Sequence, residues 1–463
     1  MTAGVAFEGV PRSGVKGLAW PAVPSPKVAR RLALLQQLER SQWWSAEDVR
    51  HWQFRQAGRL IDHALRTAPF QGERLRAAGL REGQALSPET WRQIPLLRRE
   101  DIQDAGEAML SAQVPAAHGP SAKTTTSGST GKPVTVHRTS LEQLLWETLT
   151  LRNHIWQGRD LSQKLAVIRS LAAGRAPYPR GTHGRTWGGG AAAVYSTGPA
   201  VLLNVDTSVA DQARWLQRQD PAYLLTLPTN LHDLARHCLA EGIKLPRLRD
   251  IGTLGGVLMP QVRAACRAAW DVPVVDMYSA QEVGYIALQC PGREHYHVQS
   301  ETCLVEVLDA EDRPCKPGDL GRVVITALHS FAMPLLRYDI GDYAELGEAC
   351  ACGRGLPVLR RIIGRARNML ILPNGARISP TFINDWFEGL PVRQFQAIQR
   401  GARELEIKVV PLRPFTADEE ARVADLVAER IGPEFRVALT YHEDIPRGPG
   451  GKFEDFRCEI EAP

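Results

Sequence analysis

Between residues 164 and 328 the chain alternates two kinds of apolar pattern, and that alternation limits its fold more than any other feature. Short continuous apolar runs, KLAVIRS from 164, YLLTLP from 223, PVVDMYS from 273, CLVEVLD from 303 and GRVVITAL from 321, read as buried strands. Stretches with helical spacing, such as 207–219 and 229–241, lie among them. Strands interleaved with helices predict an α/β body. Upstream, 46–66 and 97–106 show helical spacing with interleaved charge. Ser140 and Gln143 form a capping-box pattern that opens a helix to about Trp156.

The tail changes character. QFQAIQR from 394 and LEIKVVPL from 405 read as strands, 416–431 as an amphipathic helix opened by Thr416, and FRVALTY from 435 as another strand. A small α+β domain of roughly a hundred residues fits there. Residues 1–40 are rich in Gly, Pro and Arg with little periodicity and are expected as an extended arm, with order beginning at Trp43. The expected division is therefore an arm over 1–40, a large domain over 41–363 and a small C-terminal domain over 364–463.

Several function classes are disfavoured by composition. The longest apolar candidate, 191–205, is broken by Ser196, Thr197 and Pro199, so no bilayer span is expected. Arg12 and Lys16 are followed by no apolar h-region, which argues against a secretory signal and for a cytoplasmic protein. A net charge of +5 over 463 residues, without a dense Lys/Arg cluster, argues against nucleic-acid binding and suits an anionic small ligand equally well. Eight cysteines are too sparse for a secreted disulfide scaffold; in a cytosolic chain they read as reduced thiols or metal ligands.

The segment TTTSGSTGKPVTV, 124–136, concentrates hydroxyls, glycines and a lysine. It is not a Walker A loop, because Gly128 and Gly131 are separated by two residues and Lys132 is followed by Pro133. The physics is related all the same. Glycines let backbone N–H groups approach an anion, hydroxyls add donors, and the lysine adds charge, which together suit a polyphosphate. A flexible Ser/Thr/Gly linker would have the same composition.

TSGSTGKP at 126–133 resembles the phosphate-binding loop of the adenylate-forming superfamily, and five further segments follow in that superfamily's order. LGG at 254–256 and DMYSAQE at 276–282 resemble its nucleotide-pocket motifs. RYDIGD at 337–342 resembles the ribose-binding motif, GRARNML at 364–370 the hinge, and PRGPGGK at 446–452 the catalytic-lysine loop. TAPFQGERLRAAGL at 67–80 and IPLLRREDI at 94–102 are similar to N-terminal segments of the phenylacetate–CoA ligase branch. The likeness covers about 45–463.

It implies an α/β fold with a large, multi-sheet N-terminal adenylation domain and a small, mobile α+β C-terminal domain. It also implies ATP held by Thr126, Ser127, Gly128, Ser129, Thr130, Gly131, Lys132, Gly255, Gly256, Tyr278, Asp342 and Arg365.

Each implied role has a physical basis and a plainer alternative. Tyr278 can stack on adenine, or be a core tyrosine. Glu282 can supply a carboxylate to a Mg²⁺ that bridges ATP phosphates, or be a solvated acid at a helix start. Asp342 can accept both ribose hydroxyls, or be a turn residue after Gly341. Lys452, in a Gly/Pro-rich loop, can carry an ammonium to the charge that grows as a carboxylate attacks the α-phosphorus; an exposed turn lysine is the usual fate of such residues. Departures from the superfamily pattern are Ser279, Gln281 and, at the hinge, Arg367 followed by Asn368.

Cys350 and Cys352 form a Cys-x-Cys pair, and Cys290 is followed by His295 and His297. A Cys₃His set is a closed, structural zinc arrangement. Some members of the branch carry a comparable cluster, which matches His297 as the fourth ligand beside Cys290, Cys350 and Cys352; free surface thiols are the alternative.

The expected activity is ATP-dependent activation of a carboxylic acid, aromatic by resemblance, to an acyl adenylate with release of pyrophosphate. Lys452 and Glu282 would be the catalytic residues and coenzyme A the thiol acceptor. A carrier-protein phosphopantetheine thiol, an amine acceptor, a non-carboxylate oxyacid and a catalytically silent nucleotide-binding relative stay open, as does a homodimer.

Overall fold

The apolar runs assemble into one long mixed sheet. In this computed structural model, which describes residues 10–125, 133–375, 377, 378, 380, 383–387, 389–446 and 453–460, the sheet has twelve strands. From one edge these are Cys303–Leu308, Leu320–Ala327, Tyr338–Leu346, Val358–Arg365, Tyr296–Val298, Gly284–Gln289, Val274–Ala280, Asp250–Leu254, Tyr223–Thr226, Leu165–Arg169, Ala200–Asn204 and Thr182–Gly184. Five consecutive strands, from Val274–Ala280 to Ala200–Asn204, are parallel to their neighbours, and the rest of the recorded pairings are antiparallel.

Helices Val209–Gln219, Pro228–Ala240 and Pro260–Trp270 connect the parallel strands, as parallel pairing requires. Their apolar faces meet strand residues Ile168, Leu224 and Ile251 in one buried cluster around Trp215. A second cluster, with Ile286, Val298, Val323 and Tyr338, fills the antiparallel half.

Helix Ser140–Trp156 follows the strand Thr135–Thr139 and supplies Leu149 to a core that also holds Met277, Tyr285 and Leu288. Its N-cap is Thr139, one residue before the expected cap. Thr139 Oγ1 accepts from Glu142 N, and Glu142 Oε2 accepts from Thr139 N at 2.8 Å, so Thr139 and Glu142 form the capping box that Ser140 and Gln143 were expected to form.

Residues 26–41 also differ from expectation, because Pro26–Ser41 is a helix rather than part of an extended arm. Pro26 sits in its first turn, where its missing N–H costs nothing. Arg31 is buried against Glu147 and the carbonyls of Gly189 and Gly190, and Leu35 and Leu38 are buried too. Tertiary contacts order a segment that its periodicity leaves unmarked.

The chain divides into two units, residues 1–340 with 344–362, and residues 341–343 with 363–463. The second holds a four-stranded sheet in the order Arg436–Tyr441, Glu404–Pro411, Val392–Gly401, Phe456–Cys458, with helix Ala417–Ile431 packed on it through Val423, Val427 and Ile431. Thr416 caps that helix in a capping box with Glu419. Among the described residues, no helix is long and apolar enough to cross a membrane.

Candidate functional site

Parallel strands gather ligand-binding groups at their carboxyl ends, where loops leave the sheet. Leu254 pairs with Met277, so Gly255 follows level with Tyr278. Gly255 has φ +77°, the left-handed region that glycine enters without strain. Gly256 passes close to the start of the preceding crossover helix, since a Cβ there would lie 3.4 Å from Pro228 Cδ. The LGG segment is thus a tight strand-to-loop turn that leaves backbone accessible beside Tyr278. Tyr278 itself is 8% exposed and packs with Val134, Val136 and Ile286, so most of its ring belongs to the core.

Glu282 lies in the turn between the antiparallel strands Val274–Ala280 and Gly284–Gln289, not at a helix start. It is 4% exposed, with Arg99 Nη1 3.5 Å from its Oε1. Arg138 also feels the charge of Glu282, although burial holds its guanidinium below the usual arginine range. Four residues before the end of that strand, Asp276 has a structural role. It accepts from Thr253 Oγ1 at 2.6 Å and from Tyr296 OH at 2.8 Å, while burial raises its carboxyl above the ordinary range.

The RYDIGD segment divides in the same manner. Arg337, at φ +50°, is buried and donates to Glu306 and to the carbonyls of Arg92 and Ile94. Asp342, in the second unit together with Arg365, has its carboxylate 3.1 Å from Arg365 Nε. Gly341 between them has φ +78°, and a Cβ there would come 3.2 Å from Arg365 Nη1. A side chain at 341 would strain the strand and disturb the ion pair. Arg367, in the segment expected as the hinge, pairs with Glu454, also within the second unit. Residues 126–132 and Lys452 lie outside the described residues.

A pocket opens beside Glu282. Arg138, Glu142, Trp146, Tyr285, His329 and Ser330 line it, together with Val283 and Gly284, which follow Glu282 directly. It offers about 30 Å³ of room to water-sized groups, enough for ordered water. Arg138 lies over the Trp146 ring, 5.0 Å from its centroid. Burial raises the Glu142 carboxyl while its Thr139 and Ser330 hydrogen bonds oppose that rise. Burial also pushes His329 down to about 4, with His118 adding to the fall. Arg99 lies in the 94–102 segment but was given no role there, and His329 carries no sequence signal, because the partners of each are distant in the chain.

The Cys/His cluster forms in the first unit. Strand Tyr296–Val298 pairs with Val358–Arg365, His297 opposite Val358, which carries the loop containing Cys350 and Cys352 to the two histidines. Cys290, His295, His297 and Cys350 place one donor atom each within 4.8 Å of one another. Cys350 Sγ is 3.0 Å from His295 Nε2 and 3.9 Å from Cys290 Sγ, and Cys352 Sγ is 3.3 Å from His297 Nε2. Ligands around tetrahedral zinc stand about 3.5 Å apart at ordinary bond lengths, so these donors suit such an ion. Burial lowers His297 to about 4, the neutral form that metal binding needs. His295, not among the expected ligands, joins the cluster.

A model of the CapK C-terminal domain family matches residues 370–456. A phenylacetate-coenzyme A ligase of Thermus thermophilus is 26% identical over 442 residues, covering 88% of this chain and 95% of the relative. One from Escherichia coli is 24% identical, covering 88% and 94%. The chain is a homologue of phenylacetate–CoA ligases. A crystal structure of 2-hydroxyisobutyryl-CoA ligase, in the postadenylation state with R3-HIB-AMP, superposes with a TM-score of 0.72 at 18% identity, covering 91% of this chain and 92% of that one. At that identity it shows the fold alone.

Proposed function

We propose that the protein is an AMP-forming acid–thiol ligase that converts a carboxylic acid to an acyl adenylate and then passes the acyl group to coenzyme A. What supports the reading is buried Glu282 at the end of the strand that carries Tyr278, with the Gly255–Gly256 turn leaving the adjacent strand level with Tyr278, on a chain similar over most of its length to CoA ligases. The adduct in the solved relative is an acyl-AMP type of ligand by its name, and the sequence relatives are named for coenzyme A.

In the first half-reaction an acid carboxylate oxygen attacks the α-phosphorus of ATP and pyrophosphate leaves. Residues 126–132 are assigned to the phosphates, Tyr278 to adenine, Asp342 and Arg365 to the ribose side, and Lys452 to the transition-state charge. Glu282 would supply a carboxylate to Mg²⁺, which would offset the negative charge of the phosphates, and the guanidinium of Arg99 stands beside it. In the second half-reaction the thiol sulfur attacks the acyl carbonyl and AMP leaves with the acid's oxygen. A carrier-protein thiol or an amine in place of coenzyme A would leave these assignments unchanged.

Zinc is proposed as a structural ion at Cys290 and Cys350 with Cys352, His295 and His297 around them; it takes no part in either step.

Exchange of labelled pyrophosphate into ATP tests the reading, across a panel of aryl and alkyl acids. We expect acid-dependent exchange that Lys452→Ala abolishes, while thioester formation from supplied acyl-AMP survives, because the lysine serves the first half-reaction only. Equal loss of both half-reactions would remove the lysine assignment.

A further inference from the structure

Between Asp160 and Asp206 the chain carries no acidic residue, yet it holds Lys164, Arg169, Arg175, Arg180 and Arg185. Positive charge is left uncompensated wherever the fold gathers such a segment. Lys164 is engaged, its ammonium donating to the carbonyl of Gln219 at 2.6 Å. The four arginines are exposed, and none forms an ion pair among the described residues.

Three of them meet at one strand end. Arg169 closes the strand Leu165–Arg169 opposite Asn204, the last residue of Ala200–Asn204. The loop that follows folds back over the same end: Asn204 N donates at 3.0 Å to the carbonyl of Ala176, next to Arg175, and Asn204 Nδ2 donates at 3.4 Å to that of Leu171. The chain then enters the edge strand Thr182–Gly184, antiparallel with Thr182 opposite Leu202, so Arg180 stands two residues outside that pair and beside the same end. Its carbonyl accepts from Trp215 Nε1 at 3.4 Å, which holds the backbone against helix Val209–Gln219. Acidic residues do little to offset these charges. Asp206 is a single carboxylate, and Asp211 is taken by Arg214 at 2.6 Å.

This is the carboxyl end of the parallel strands, from which Gly255 also leaves. Val167, Leu225, Gly252 and Val275 form one row across the sheet, and three residues further along their chains come Ser170, Gly255 and Tyr278. Three strand spacings separate Leu254 from Asn204, on the order of 15 Å at ~4.8 Å each. The arginines therefore stand at the rim of the candidate site, in solvent. Reacting groups are enclosed from water, whereas an open rim of guanidinium groups suits phosphates that stay outside while a long arm reaches in.

We propose that Arg169, Arg175 and Arg180 bind the phosphorylated nucleotide end of coenzyme A, so that its pantetheine arm runs across the strand ends to the acyl adenylate. The inference rests on the ligase reading above and says where the second substrate is held. Coenzyme A carries a 3′-phosphate and a pyrophosphate at this end, and guanidinium groups pair with phosphate oxygens through charge-assisted hydrogen bonds.

The test measures thioester formation with the preferred acid while the thiol is varied: coenzyme A, its 3′-dephospho form, or pantetheine, which lacks the nucleotide altogether. Wild-type enzyme should have a KM for coenzyme A at least about tenfold below that for pantetheine, with the dephospho form between them, because the phosphate contacts supply the difference. In the double variant Arg175→Ala, Arg180→Ala the KM for coenzyme A should rise by about tenfold while that for pantetheine stays, and lysine at both positions should restore part of the preference. Both side chains are exposed, so the fold should survive. Pyrophosphate exchange needs no thiol and reports on the first half-reaction separately; it should be the same in both proteins. Equal KM values for coenzyme A and pantetheine in the wild type, a preference that survives in the double variant, or exchange that falls along with it would overturn the proposal and leave the arginines as charges that blunt a sheet edge. In each of those cases the adenylation reading stands. Absence of acid-dependent exchange in the wild type would instead overturn both.

Discussion

Asp342 and Glu282 each keep a guanidinium close, at 3.1 Å from Arg365 and 3.5 Å from Arg99. Both are buried, and the neighbouring guanidinium offsets part of the cost of burying each charge. For Asp342 this gives a direct expectation. Loss of a charge-assisted contact to ribose costs about 1.5–3 kcal/mol, so Asp342→Ala should raise the KM for ATP roughly ten- to a hundredfold with a smaller change in acid KM. Steady-state kinetics with ATP varied would show this; an unchanged KM removes the ribose assignment. Arg365, one third exposed, stays solvated when its partner is gone, so the fold should survive.

The motifs singled out Asp342, Glu282 and the turn glycines in the sequence, because spacing within short segments is set by local chain geometry. The neighbours they meet in the fold, Arg99 beside Glu282 and Arg138 and His329 in the adjoining pocket, were not singled out, since only the folded sheet brings those segments near.

At the scale of elements, Thr139 with Glu142 and Ser140 with Gln143 satisfy the same capping pattern one residue apart, and the backbone decides between them. Thr139 keeps extended geometry and joins the strand before it, so Ser140 becomes the first helical residue. Thr139→Ala should cost about 1 kcal/mol in urea unfolding, and Ser140→Ala much less. The opposite order would restore the expected cap. Glu142 belongs both to this cap and to the lining of the pocket.

The helix Pro26–Ser41 escaped the sequence reading for a related reason: its order comes from Arg31 and Leu38 meeting distant elements, which no local periodicity announces. The Cys/His loops are the third case. Some sixty residues separate Cys290 from Cys350, and strand pairing alone closes that gap. If zinc sits there, elemental analysis should find about one zinc per chain, and Cys350→Ser should lower both metal content and melting temperature while sparing pyrophosphate exchange. Metal-free protein of full stability would end the zinc assignment. Separate replacement of His295 and His297 would then rank the two imidazoles by the zinc each retains.

For the whole molecule, the alternation of strands and helices was readable because each element buries a continuous apolar face, and the tail's separate sheet followed from its own change of pattern. The order of twelve strands was not readable, because pairing partners such as Val358–Arg365 and Tyr296–Val298 are set by long-range register. On this frame the account makes one chemical claim above the rest: the acid's oxygen attacks the α-phosphorus of ATP and stays on AMP. Turnover of the preferred acid, labelled with ¹⁸O in its carboxylate, in the presence of ATP, Mg²⁺ and coenzyme A, tests it most directly by mass spectrometry of the nucleotide. The account predicts AMP carrying one ¹⁸O atom and unlabelled pyrophosphate. Label in inorganic phosphate with ADP as the nucleotide product, or AMP without label, would contradict it.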